Sequence, residues 1–203
     1  MRVGNLRSVL CVLGSVALSS GGFLVGSTVL ASPAAASTAC PSSLAGYTRV
    51  QSTGTVNIYD TNPSDNYLVC GIDTADNITV QSAGSAIVYG AGGNDFLLSV
   101  APNTTIYGEA GNDTIYSIGC GVFGGCISAG DATLDGGDGN DTIVGGTGDD
   151  TLNGGPGADN LYGGPGDDIL IGVGDKNIDK LDGGDGFDDC LFGGGDELVN
   201  CEV

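Results

Sequence analysis

A nine-residue repeat in the second half of the chain limits what it can fold into more than any other feature. Residues 136–144 read Gly-Gly-Asp-Gly-Asn-Asp-Thr-Ile-Val. Three copies follow without a gap: Gly-Gly-Thr-Gly-Asp-Asp-Thr-Leu-Asn at 145–153, Gly-Gly-Pro-Gly-Ala-Asp-Asn-Leu-Tyr at 154–162, and Gly-Gly-Pro-Gly-Asp-Asp-Ile-Leu-Ile at 163–171. A copy at 172–182 is longer by two residues, and one at 183–191 regains the period with Cys190 in the aliphatic place. Earlier copies start at Gly90 and Gly108, two periods apart. Six glycine-rich residues make a turn with positive-φ positions and close backbone approach, and x-aliphatic-x makes a short strand whose central side chain points inward. Turn, strand, turn, strand is then one coil. The inward series runs Val88, Leu97, Ile106, Ile115, Leu134, Ile143, Leu152, Leu161, Leu170, Leu181 and Cys190.

The Gly-Gly-x-Gly-x-Asp-x-aliphatic-x pattern resembles the RTX, or haemolysin-type, calcium-binding repeat family. The resemblance covers about residues 86–191, apart from one insertion. It implies an all-β fold, a right-handed parallel β-roll or β-solenoid with short strands and glycine-rich calcium-binding turns.

Energetics lead to a cation independently of the resemblance. One aliphatic side chain per half-coil contributes roughly 1.5–3 kcal/mol. Nine residues of backbone ordering cost about 1–2 kcal/mol each, so burial alone loses. Crowded carboxylates make the empty coil worse, and a bound cation relieves both problems. The turns offer carboxylate and carbonyl oxygens, and the chain has no histidine, so calcium suits them better than zinc or magnesium.

Consecutive turns fall on opposite margins, so a site is expected between turns one full coil apart. One margin stacks 90–95, 108–113, 136–141, 154–159 and the lengthened 172–179; the other stacks 145–150, 163–168 and 183–188, preceded by the insertion. The expected carboxylate ligands of several Ca2+ ions are Asp95, Asp113, Asp141, Asp150, Asp159, Asp168, Asp179 and Asp188. The turn glycines that complete each site are Gly90 and Gly93, Gly108 and Gly111, Gly136 and Gly139, Gly145 and Gly148, Gly154 and Gly157, Gly163 and Gly166, and Gly183 and Gly186. Asp138, Asp149, Asp167, Asp175, Asp185 and Asp189 read as solvated charges.

The N-terminus has the layout of a secretory signal peptide, with Arg2 and Arg7, an apolar and small-residue run, and Ala34 and Ala36 before an expected cleavage that ends the leader at residue 36. Cleavage near Ala39 and an uncleaved membrane anchor are the alternatives. Removing residues 1–36 leaves Arg49, Lys176 and Lys180 against 25 acids, and six cysteines suited to an oxidising, extracellular compartment. Nearest-neighbour pairing joins Cys40 to Cys70, Cys120 to Cys126, and Cys190 to Cys201, one of 15 possible connectivities. The expected organisation is a leader at 1–36, an N-terminal cap or degenerate coils at 37–85, and a β-roll at 86–203. The roll carries an insertion at 117–132 and a disulfide-stapled C-terminal cap.

A formal net charge of -20 repels nucleic acid and anionic membranes, and the mature chain is not expected to insert into a bilayer. Without histidine there is no Ser-His-Asp triad or Cys-His pair, and no phosphate loop appears. The expectation is a secreted, non-enzymatic calcium-binding protein that folds as it binds. The alternatives are a calcium-dependent adhesive module with an extracellular glycan or protein partner, and a calcium-dependent polysaccharide lyase with Lys176 or Lys180 as base. One outer face carries Phe96, Leu98, Thr114, Tyr116, Thr142, Val144, Asn160 and Tyr162, the surface on which such a partner would dock.

Overall fold

A computed structural model describes residues 40–60, 62–118, 130–173 and 175–202. The expected leader and the expected Cys120–Cys126 bridge lie outside the described residues, as does most of the insertion. Among the described residues there is no helix, hence none long and apolar enough to cross a membrane.

The described residues wind into a β-solenoid of two parallel sheets, each of eight strands. The first sheet holds β1 (Tyr47–Gln51), β3 (Asn66–Cys70), β5 (Ala86–Gly92), β7 (Thr104–Ala110), β9 (Ala132–Asp138), β11 (Thr151–Asn153), β13 (Ile169–Gly172) and β15 (Asp189–Phe192), in that order. The second holds β2 (Thr55–Asp60), β4 (Asn77–Ser82), β6 (Phe96–Ser99), β8 (Thr114–Ser117), β10 (Thr142–Val144), β12 (Asn160–Pro165), β14 (Lys180–Asp185) and β16 (Glu197–Val199). Strict alternation between sheets follows from the repeat, because each turn reverses the chain and each strand pairs with the one a full coil away. A parallel sheet ordinarily needs a helical crossover, whereas here a glycine-rich turn and the opposite strand perform that task.

Register places one aliphatic side chain under the next. In the first sheet Val69, Val88, Ile106, Leu134, Leu152, Leu170 and Cys190 form one column. In the second the column is Val56, Ile78, Leu97, Ile115, Ile143, Leu161, Leu181 and Leu198. Every inward position from Val88 to Cys190 is buried. The early strands are longer than the three residues of the repeat and bury two side chains in alternation, Val56 with Ile58 and Ile78 with Val80. β10 and β11 have three residues and bury one each. The core is therefore thicker in the first coils than in the last.

Disulfides join Cys40 to Cys70 and Cys190 to Cys201, with Cα–Cα separations of 5.9 and 5.7 Å. The first ties the segment before β1 to β3, and the second ties the chain end to β15. On the outside of the second sheet, Phe96, Thr114, Thr142 and Asn160 form one row, and Leu98, Tyr116, Val144 and Tyr162 the next.

Candidate metal sites in the turns

Each turn is built on stacked backbone, which explains the glycines. Gly139 has φ +145°, a region that penalises any Cβ, and a Cβ there would strike the carbonyl oxygen of Gly111 in the preceding coil. Gly157 meets the carbonyl of Gly139 in the same way. Gly93, Gly111, Gly148, Gly166 and Gly186 occupy the equivalent place with φ between 117° and 154°. The opening glycines Gly90, Gly108, Gly136, Gly145, Gly154, Gly163 and Gly183 are buried, and a Cβ on any of them would collide with the aspartate five residues later. Glycine at the first position is what lets that carboxylate turn inward.

The aspartates form two ladders, one along each margin. On the first, the Asp95 N–H donates to Asp113 Oδ1 at 2.8 Å, Asp113 to Asp141 at 2.7 Å, Asp141 to Asp159 at 2.8 Å and Asp159 to Asp179 at 2.9 Å. On the second, the Ala132 N–H donates to Asp150 Oδ1 at 2.8 Å, Asp150 to Asp168 at 2.8 Å and Asp168 to Asp188 at 3.0 Å. The partners are 18 residues apart in the regular coils, 28 across the insertion, and 20 where a turn is lengthened. Insertions thus bulge out of the coil without breaking the ladder.

The other oxygen of each carboxylate has no partner. Oδ2 of Asp95, Asp113, Asp141, Asp150, Asp159, Asp168, Asp179 and Asp188 is buried and accepts no hydrogen bond. These are the eight aspartates that the nine-residue register singles out, and each side chain is at most 3% exposed. Burying a carboxylate without compensation disfavours its charged form. Accordingly burial lifts the carboxyls of Asp95, Asp141 and Asp150 from the ordinary 3.8 to about 7, and those of Asp113, Asp159 and Asp168 to about 6. Asp179 is raised for the same reason. The N–H accepted at Oδ1 pulls the other way, and neighbouring carboxylates add to the rise at Asp141 and Asp150.

An all-oxygen donor set with one bare carboxylate oxygen per turn fits a hard divalent cation. Among the described residues no three acidic or sulfur-bearing side chains converge on one point. An ion in such a turn would take one or two carboxylates, with backbone carbonyls and water supplying the remaining oxygens.

Several residues in these ladders carry no repeat signature. Asp76 precedes Asp95 on the first margin, its N–H donating to Asp95 Oδ1 at 2.8 Å. Both of its own oxygens are satisfied, Oδ1 by the Ser52 hydroxyl and Oδ2 by the Ile72 N–H at 2.7 Å. At the far end Asp196 accepts from Asp179 N–H at 3.1 Å, and Glu202 accepts from Asp188 N–H at 2.6 Å. A second, outer ladder uses the residue before each aspartate. Asn94 accepts from Asn112 N–H at 3.0 Å, Asn112 from Asn140 at 2.7 Å, and Asn140 from Ala158 at 2.9 Å. Asp149 and Asp167, expected only as solvated charges, accept from Asp167 N–H and Phe187 N–H in the same way while remaining exposed. The signal for this ladder was the recurrence of Asn or Asp at the fifth repeat position.

Together these features define a class, a parallel β-roll whose glycine turns carry buried, half-satisfied carboxylates along both margins. The family model of the RTX calcium-binding nonapeptide repeat matches the chain in four copies, over residues 103–117, 128–160 and 135–170. The turns within 103–117 and 128–170 match RTX calcium-binding nonapeptide repeats. No curated protein and no solved structure matches the chain.

Proposed function

We propose that this is a secreted, non-enzymatic protein that binds several Ca2+ ions in its turns and completes its fold as they bind. The observation that carries this reading is the set of eight buried Oδ2 atoms that no protein donor reaches. The residues that would hold calcium are Asp95, Asp113, Asp141, Asp159 and Asp179 on one margin and Asp150, Asp168 and Asp188 on the other, with the turn glycines contributing carbonyl oxygens. Calcium supplies positive charge where the chain has concentrated negative charge, so each turn becomes less costly to close.

Coupling to folding follows from the thin late coils, in which one buried aliphatic per strand opposes the ordering of nine residues. Extracellular affinities of about 0.1–1 mM suit such sites. At a hundredfold excess each then adds up to about 2.7 kcal/mol. The disulfides among the described residues support an oxidising compartment. Lys180, a base that a lyase would need, stands 5.4 Å from the centroid of the Tyr162 ring, which engages its charge on the outer face of the second sheet.

Circular dichroism during calcium titration of chelator-treated protein tests the reading. A cooperative gain of β signal supports it, and a spectrum indifferent to chelator and calcium refutes it.

A further inference from the structure

On the outer face of the first sheet, Tyr89 of β5 and Tyr107 of β7 lie in register and stack, with ring centroids 4.9 Å apart and planes inclined by 22°. The row continues on β9 with Asp135, whose side chain is too short to prolong the stack. Its carboxylate is steadied by the Asn153 amide, which donates to Oδ1 at 3.3 Å. The step from ring to carboxylate opens a cavity of about 320 Å³ lined by Tyr89, Tyr107, Glu109, Asp135 and Gly137. That size is near the lower end of ligand pockets, roughly 300–1,000 Å³, and suits one side chain rather than an extended molecule.

Glu109 brings a charge to a turn position that most copies give to glycine. It holds the second position of its turn, where Ala91 stands in the coil before with φ +86° and Gly137, Gly146, Gly155, Gly164 and Gly184 stand in later copies with φ between 92° and 120°. Glu109 adopts φ +77°, a conformation that disfavours a side chain. Glycine would fit better, and the coil instead presents a carboxylate beside two tyrosine rings.

We infer that this notch is a docking site for an arginine side chain of a partner protein. A guanidinium is flat, cationic and rich in donors, so it can lie on the exposed face of Tyr107 while its N–H groups reach Glu109 and Asp135. Two carboxylates match a donor-only group better than a sugar, whose hydroxyls would also need donors from the wall. The chain supplies the complementary field, with 25 acidic residues against five basic ones.

The test uses the full chain in saturating calcium, so that the turns are closed, and Nα-acetylarginine amide as probe. Nα-acetyllysine amide and glucose serve as comparators, and the tyrosine ring resonances as the readout. Saturable shifts at Tyr89 and Tyr107 are expected, with the lysine probe about tenfold weaker and glucose silent. Glu109→Gly separates function from fold: the glycine relieves the turn, so in saturating calcium the thermal midpoint holds or rises, yet arginine binding falls about tenfold. Tyr107→Ala weakens the probe comparably. Unchanged affinity in Glu109→Gly, equal binding of lysine or glucose, or no saturable shift would each overturn the inference.

Discussion

If cations are needed because the turn carboxylates are buried, protons should substitute for them. The carboxyls of Asp95, Asp113, Asp141, Asp150, Asp159 and Asp168 titrate at about 6 to 7 in the fold, against an ordinary 3.8. Between those values the folded coil binds more protons than the unfolded chain, so stability falls as pH rises across the window. Each such group changes stability by about 1.4 kcal/mol per pH unit, and the six together set a ceiling of about 8 kcal/mol per unit. Solvent screening and mutual coupling reduce this to roughly 4 kcal/mol. Metal-stripped protein moved from pH 7.5 to pH 5.5 should therefore gain several kcal/mol and form β structure without calcium. The assay is far-ultraviolet circular dichroism across that range, with sedimentation to confirm that the gain belongs to a monomer, since the sequence pI is about 4.1. Metal-free protein that gains no β signal on acidification, or loses it, would refute the reasoning.

Other perturbations address the backbone, the core and the division of the coil. Gly139→Ala adds a Cβ against the Gly111 carbonyl at φ +145°, and should cost about 3 kcal/mol or more, seen as a shift of the calcium midpoint to higher concentration. Leu152→Ala, at a fully buried column position, should cost about 2–5 kcal/mol in urea denaturation with calcium present. Hydrogen exchange in chelator should leave residues 47–89 protected while 108–191 exchange freely. β2 and β4 each bury two aliphatic side chains in alternation, β3 buries Tyr67, Leu68, Val69 and Cys70, and Asp76 has both oxygens satisfied within the chain. Uniform exchange across both regions would contradict this.

How far the fold could be read from sequence depends on the residue. Ile143, Leu152, Leu161 and Leu170 stand nine residues apart, so their columns, the two sheets and the alternation between them were legible. The same register picks out the eight aspartates with bare oxygens, because a carboxylate one place earlier faces solvent and one at the sixth place is enclosed. Asp76 escaped because its coil is one residue longer, placing it 19 residues before Asp95, and because glycine survives only at the first position of its turn. At the other end, Asp196 and Glu202 close the ladders from segments with no repeat, where tertiary position alone decides the partner. The outer ladder was missed for a different reason: a polar residue at an exposed turn position looks the same in sequence whether it meets water or the next coil's N–H. Pairing in the early strands follows hydrophobic alternation, not the nonapeptide.

The most direct measurement is anomalous diffraction from crystals grown in calcium, which locates the ions themselves. Peaks on both margins, each about 2.3–2.6 Å from an Oδ2 of the eight aspartates, are the expected result. A calcium-saturated crystal in which those oxygens contact only water or protein donors would contradict the central claim.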